Sequence, residues 1–357
     1  MVKPMIPLYK PHMPDLPLIG EILNSGKLAY GTYGKNFESS LGSYLHNDRV
    51  ITTNAYNMAI LVVMSTLNIK PGDSVIASPM TCLASSQPLL SMGVNIIWSD
   101  INPKTGTLCP ESVKKNITKN CKAIIHNHFC GHVGFIDEIN AIGKKYGIPV
   151  IDDCIEAFGS EYRGKKLGNV GTDVTIFSFN PVRLPNTIDG GAVVFKDEEF
   201  YNKSLFVRDA GIDRTRFRDD IGEINPKCDI ELIGHSATMG EVSSYIGIKQ
   251  MEKVDSLINK QRDNAAFWDS KLIGNHDLKP LKNENANPNF WVYGVLAKNK
   301  RQTILKYRDL NYYASGVHIN NNNYTVFKNE KSHLPGVIEF DNHFVALPSG
   351  WWFNNNI

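Results

Sequence analysis

The 357-residue sequence lacks C-x-x-C pairs, apolar runs of the roughly 20 residues that span a bilayer, and an excess of one charge. Its six cysteines are scattered, which argues against a zinc site and favours buried, reduced thiols. Lys and Arg number 38 against 36 acidic residues, so charge gives no reason to expect nucleic acid or a membrane as a partner. Its first ten residues lack the apolar region of a signal peptide. We therefore expect a cytoplasmic protein without a metal site.

The middle of the chain alternates between helical and strand patterns. Helical periodicity covers 54–67, 82–92 and 135–146, and short apolar strand patterns cover 74–78, 94–98, 123–126, 150–152, 174–179 and 191–195. Strands that alternate with helices of about ten residues or more predict βαβ units around a mostly parallel sheet. Ligands of such sheets bind beyond the carboxyl ends of the strands.

The last third of the chain has a different pattern. One apolar helical pattern over 239–272 predicts a long helix that links a large domain to a smaller one. A strand at 290–296, a helix at 302–310 and a strand at 316–319 follow, which is typical of a compact α+β domain. We therefore expect a large domain with an N-terminal arm at 1–240, and the linking helix with a small domain at 241–357.

Three segments carry residues suited to a phosphorylated cofactor. Asp153 ends a predicted strand, where a carboxylate can hold a pyridinium nitrogen, although a helix N-cap or a surface ion pair fits as well. Ser178 ends another strand before Asp189-Gly190-Gly191, which suits either a phosphate contact or a plain turn. Thr52–Ala59 opens the first long helix, and without glycines an ordinary cap is as good an interpretation as a phosphate site.

Taken in order, these segments and several others resemble the nucleotide-sugar aminotransferases, a branch of the fold-type-I pyridoxal-phosphate (PLP) enzymes. The resemblance covers nearly the whole chain, from Ile6 to about Trp352. The matching motifs are Ile6-Pro-Leu-Tyr-Lys-Pro11, Gly26-Lys-Leu-Ala-Tyr-Gly-Thr-Tyr-Gly34, Asn68-Ile-Lys-Pro-Gly-Asp-Ser-Val75, Asp153, Ser178, Asp189-Gly-Gly191, Met239-Gly-Glu241, Gly316-Val-His318 and Leu347-Pro-Ser-Gly-Trp-Trp352. The resemblance implies an aspartate-aminotransferase-like α/β fold with a seven-stranded sheet, and a homodimer with shared active sites.

The resemblance also implies roles for individual residues. Asp153 would pair with the pyridine nitrogen of PLP or pyridoxamine phosphate (PMP), and Ser178 would contact the cofactor phosphate. The remaining positions with an implied role are Tyr56, Asn57 and Ser236 near the phosphate, Cys82 and Glu156 near the ring, and Tyr30 and His318 near the substrate.

Position 183 departs from the family pattern. The family motif Ser-Phe-x-x-x-Lys supplies the lysine that forms the Schiff base, and this chain has Ser178-Phe-Asn-Pro-Val-Arg183. A guanidinium keeps a pKa above about 12, so it neither attacks an aldehyde nor shuttles protons near neutral pH. Lys165, Lys166 and Lys196 are not good substitutes by position.

Two hypotheses follow from this departure. In the first, the chain is a non-transaminating homologue, a pseudoenzyme or binding subunit in surface-sugar (O-antigen type) biosynthesis, whose PLP binding is non-covalent or lost. In the second, it is an active PLP- or PMP-dependent aminotransferase or dehydratase on a nucleotide-linked 4-keto-6-deoxy sugar. The changes at Tyr56, Asn57, Cys82, Glu156 and Ser236 favour the first. An unrelated nucleotide-binding regulator is a third possibility.

Overall fold

A seven-stranded sheet forms the centre of the computed structural model, which describes residues 4–327 and 333–353. The strands are β1 (Val50–Thr53), β2 (Ser74–Ala77), β3 (Asn95–Trp98), β4 (Cys121–Asn127), β5 (Val150–Cys154), β6 (Glu161–Tyr162), β7 (Lys165–Lys166), β8 (Val174–Ser178), β9 (Gly191–Phe195), β10 (Leu278–Pro280), β11 (Ala286–Asn287), β12 (Tyr293–Ala297) and β13 (Phe344–Leu347). The central sheet has the order β1-β9-β8-β5-β4-β2-β3. Pairs among β3, β2, β4, β5 and β8 are parallel, and β9 pairs antiparallel with β8 and β1. The predicted mostly parallel, seven-stranded sheet is confirmed.

Helices cover both faces of this sheet. They are α1 (Ile19–Asn24), α2 (Thr32–Leu45), α3 (Tyr56–Thr66), α4 (Leu83–Ser91), α5 (Pro110–Asn116), α6 (Ile136–Tyr146), α7 (Glu198–Val207), α8 (Glu241–Met251), α9 (Val254–Lys271), α10 (Lys300–Asp309) and α11 (Pro335–His343). Successive strand residues point to opposite faces, so Ile176 joins the core beneath α3 while Phe177 joins the core beneath α2. The same alternation separates Asp152 from Asp153.

The predicted long helix at 239–272 is wrong in one respect, because the chain bends between α8 and α9 at residues 252–253. Helix α8 packs against α2, whereas α9 carries Ile258 into the core of the large sheet and Trp268 into the core of the second sheet. A straight helix would not follow both surfaces, so tertiary packing overrides a sequence that has no Gly or Pro at the bend.

The predicted strand at 316–319 is also wrong. The three-stranded sheet in the C-terminal part has the order β10-β12-β13, and Ser315 adds only an isolated bridge to Ala346. Val317 then adopts a φ of 60°, which β-branched residues rarely do, and the chain turns away from the sheet edge. The turn brings His318 toward the large sheet. The division of domains at residue 240 stays a prediction.

In the part of the chain that the structure describes, there is no helix with the length and apolar character needed to cross a membrane.

Candidate functional site

Asp153 lies at the carboxyl end of β5 and faces helix α3. Its side chain is buried, and three donors contact it: the Tyr56 hydroxyl at 2.5 Å, the backbone N–H of Ile155 at 3.2 Å and the Thr81 hydroxyl at 3.3 Å. Burial raises the pKa of this carboxyl, and the hydrogen bonds from Tyr56 and its neighbours counteract the rise. Asp153 is thus a buried acid whose hydrogen-bonding capacity is largely used by the chain itself.

Tyr56 is the first residue of α3, and its side chain enters the site instead of facing solvent. The ring is 4% exposed, and its hydroxyl lies 3.1 Å from the Ser85 hydroxyl as well as 2.5 Å from Asp153. Burial and the Asp153 charge raise the phenol pKa well above its ordinary value, so the hydroxyl stays a neutral donor. The next residue, Asn57, is exposed.

Glu156 and Arg183 form a buried ion pair beside Asp153. Arg183 Nη2 lies 3.3 Å from Glu156 Oε1, and both side chains are nearly inaccessible to solvent. Glu156 also accepts from the Cys130 N–H at 2.8 Å and contacts His318 Nε2 at 2.9 Å. Burial alone would raise the pKa of this carboxyl, but Arg183 and His318 outweigh it and lower the pKa to about 2. Glu156 is therefore ionised at neutral pH.

The Arg183 guanidinium also stacks on an indole. Its central carbon lies 4.4 Å from the ring centroid of Trp291, whose other neighbour Tyr9 stacks at 5.4 Å. The indole N–H donates to the carbonyl of Val182, at 2.8 Å, which fixes the ring next to the loop that carries Arg183. Nε and Nη1 of Arg183 are buried without a hydrogen-bond partner among the described residues. Aromatic stacking and one carboxylate therefore hold the guanidinium.

The three alternative lysines lie elsewhere. Lys166 Nζ sits 3.4 Å above the Tyr44 ring and 3.7 Å from Asp255, and Lys196 Nζ lies 3.9 Å from Asp173. Lys165 is exposed on the short strand β7. In residues 4–327 and 333–353, no lysine amine makes a hydrogen bond or ion pair with Asp153, Glu156 or Arg183.

Ser178 and the glycine pair lie where the strand pattern placed them. Ser178 ends β8 next to β5, and its hydroxyl accepts from the N–H of Asn180 at 3.4 Å. Gly190 has a φ of 151°, and a Cβ on Gly191 would lie 3.1 Å from the Tyr56 Cα and from the Phe177 carbonyl oxygen. The absence of a side chain at Gly191 therefore lets the first residue of α3 pack closely against the start of β9.

The other predicted site residues are more dispersed. Cys82, the residue before α4, is partly buried, and its thiol pKa is raised by burial and also by the charge of Glu156. Ser236 is exposed, and its carbonyl accepts from the Asn54 side chain at 3.1 Å. Tyr30 donates to Glu38 at 2.6 Å, in a separate cluster where Arg208 also pairs with Glu38. The structure thus brings together Asp153 with Tyr56, and Glu156 with Arg183 and His318, with Ser178 on the adjoining strand end.

One buried cluster was not predicted from the sequence. His126 lies near the end of β4 and His128 directly follows the strand, and each places a ring nitrogen 3.1 Å from Asp152 Oδ1. Burial would raise the pKa of Asp152, but the two imidazoles lower it, and burial lowers the pKa of His126. The His-x-His pattern followed by Asp152 in the next strand was the available signal. Because Asp152 faces away from Asp153, this cluster lies across the sheet from the candidate site.

Comparisons with known proteins agree with this architecture. Residues 14–350 match the model of the DegT/DnrJ/EryC1/StrS aminotransferase family. A UDP-4-amino-4,6-dideoxy-N-acetyl-beta-L-altrosamine transaminase from Campylobacter jejuni is 31% identical over 265 residues, which are 73% of this chain and 66% of that protein. The chain thus spans about two thirds of that relative's length.

Solved structures extend the likeness to the whole fold. AtS13 from Actinomadura melliaura is 28% identical with a TM-score of 0.91, over 99% of this chain and 96% of that one. Spr1654 from Streptococcus pneumoniae, solved in a PLP form, shares the fold at 22% identity and a TM-score of 0.86, over 98% of this chain and 95% of that one. With a family model that matches residues 14–350 and a fold shared with AtS13, this chain belongs to the DegT/DnrJ/EryC1/StrS aminotransferase family.

Proposed function

We propose that this protein is a nucleotide-sugar aminotransferase homologue of deoxyamino-sugar or surface-polysaccharide biosynthesis that does not bind PLP covalently at its candidate site. The buried contact between Arg183 and Glu156 carries this proposal. Family membership supports the nucleotide-sugar ligand, and the Campylobacter relative is named for a UDP-linked amino sugar. A homodimer in the cytoplasm is part of the same proposal.

Covalent PLP binding requires a neutral amine at the site. Guanidinium groups stay protonated and delocalised in proteins, so they do not attack aldehydes. Here the ionised Glu156 carboxylate lies 3.3 Å from the guanidinium and stabilises its charged form. The position that the family motif assigns to the lysine thus holds a permanent cation.

The residues around Asp153 do not fit the cofactor well. The Tyr56 hydroxyl already contacts Asp153 Oδ1, an oxygen that a pyridinium nitrogen would need, and the Tyr56 side chain is itself buried at the site. Glu156 adds a negative charge where PLP would present an anionic ring oxygen. PLP chemistry is therefore not part of the function that we propose for this protein.

The proposal is tested by mixing purified protein with stoichiometric PLP, reducing with borohydride and mapping adducts by peptide mass spectrometry. We expect no adduct on the peptides that form the candidate site around Asp153. We also expect no yellow absorbance that disappears when an amino donor is added. A single stoichiometric lysine adduct with such absorbance would overturn the claim about Arg183. Formation of an amino sugar from a UDP-linked 4-keto-6-deoxy sugar would support the active alternative instead.

The ligand half of the proposal has its own test. Calorimetric titration with a UDP-linked 4-keto-6-deoxy sugar is expected to show saturable binding without turnover. A flat titration with this sugar would remove the nucleotide-sugar part of the proposal and leave the family membership intact.

A further inference from the structure

The Tyr56 side chain is held at both ends, and this fixes where its ring lies. Its Cα starts α3 so close to β9 that a Cβ on Gly191 would lie 3.1 Å away. At the other end the hydroxyl lies 2.5 Å from Asp153 and 3.1 Å from Ser85. A phenol ring anchored at its backbone and at its hydroxyl has no other rotamer that keeps both contacts.

The phenol meets the same requirements that a pyridinium ring would meet at this carboxylate. A donor at hydrogen-bond distance from Asp153 Oδ1 and a flat six-membered ring behind that donor are both already present. Oδ1 also accepts from the Ile155 N–H, and Oδ2 accepts from Thr81, so few acceptor positions remain. A second ring could reach Oδ1 only if the first one left.

The buried carboxylate is also satisfied without an added cation. Burial raises the pKa of Asp153, and the phenol of Tyr56 is the first group that counteracts the rise. Since burial raises the phenol pKa well above its ordinary value, the donor does not ionise near neutral pH. Expelling Tyr56 to admit a ligand would break a hydrogen bond to a charged group and expose a buried ring.

We propose that Tyr56 is a built-in occupant of the cofactor-ring position, which closes this site to pyridoxal and pyridoxamine phosphates even without any covalent bond. The inference deepens the proposed function, whose central claim concerns the covalent bond at position 183, and rests on the family for the identity of the cofactor. It makes Tyr56, independently of Arg183, a residue that determines ligand specificity.

PMP is the appropriate probe because it has no aldehyde and reports only whether the ring fits. Equilibrium dialysis with PMP is expected to show no saturable binding to the wild-type protein. In Tyr56→Ala and in the less disruptive Tyr56→Leu, the vacated space and the freed Asp153 should tighten PMP binding by on the order of 100-fold. Tyr56→Phe keeps the ring in place and should behave as the wild type does.

Tyr293→Ala is the matched control, because this tyrosine is equally buried and donates to Asp269 at 2.6 Å in the second sheet. It should not gain PMP binding. Wild-type binding as tight as that of the Ala and Leu variants would overturn the inference, as would a gain of binding in Tyr293→Ala. Since PMP forms no bond to lysine, these outcomes are independent of the PLP adduct that would overturn the proposed function.

Discussion

Replacing Glu156 by Gln should destabilise the protein strongly, because it leaves the Arg183 cation buried without its counter-charge. At 3.3 Å and an effective dielectric constant of about 20, the attraction between the two charges is about 5 kcal/mol. The lowering of the Glu156 pKa from 4.5 to about 2 corresponds to roughly 3 kcal/mol. Both values agree with the loss of about 3–5 kcal/mol typical when one partner of a buried pair is removed.

The assay is urea denaturation at neutral pH, followed by circular dichroism and extrapolated to water. Because Gln keeps an oxygen for the Cys130 N–H, the change removes mainly charge. Arg183→Met and the double variant complete a thermodynamic cycle, in which the double variant should be more stable than Glu156→Gln alone. A loss below about 1 kcal/mol for Glu156→Gln would refute the buried ion pair, because surface pairs contribute no more than that.

Three further predictions use the same assay or the borohydride experiment. The stability difference between wild type and Glu156→Gln should be complete above about pH 4.5 and shrink as the pH falls toward 2, because folding lowers the pKa of the Glu156 carboxyl. A difference that stays unchanged down to pH 2 would contradict this prediction. Arg183→Lys alone should gain no reducible PLP adduct, because Tyr56 occupies the ring position at Asp153, whereas adding Tyr56→Ala should permit one; an adduct in the single variant would count against this role of Tyr56. Gly191→Ala should lower the free energy of unfolding by about 1–3 kcal/mol, because the added Cβ would lie 3.1 Å from backbone atoms. The control is Gly20→Ala, an exposed helical position with open space, which should raise the free energy of unfolding by up to about 1 kcal/mol. Equal effects of the two changes would mean that α3 does not approach β9 closely.

The sequence predicted the sheet well because its strands are short apolar runs bounded by turns. The predicted strand at 191–195 matches β9 without change, and the other predicted strands of the central sheet differ from the observed ones by a few residues at their ends, whereas β1 was not predicted. The bend between α8 and α9 could not be predicted, because it depends on which cores the two halves reach and not on local helix propensity. The turn at Val317 was missed for a similar reason, since a valine with positive φ contradicts its own strand preference.

The sequence predicted which residues belong to the candidate site better than it predicted which of them contact one another. Motif order placed Asp153, Glu156 and Arg183 in one site, and the structure brings them together. The ion pair between Glu156 and Arg183 could not be predicted, because the two residues lie 27 positions apart in the sequence. Their contact depends on how the segments after β5 and β8 pack together. The entry of Tyr56 into the site depends equally on the start of α3 lying against Gly191.

The stack of Tyr9, Trp291 and Arg183 has a consequence for how this protein could evolve or be redesigned. It fastens the N-terminal arm, the loop after β8 and the C-terminal region to one another through three flat groups, each from a distant part of the chain. Detaching the arm would remove the Tyr9 ring from the indole that also supports the guanidinium. The buried Arg183 cation is thus linked through Trp291 to the N-terminal arm, so a substitution in the arm also alters the surroundings of the guanidinium.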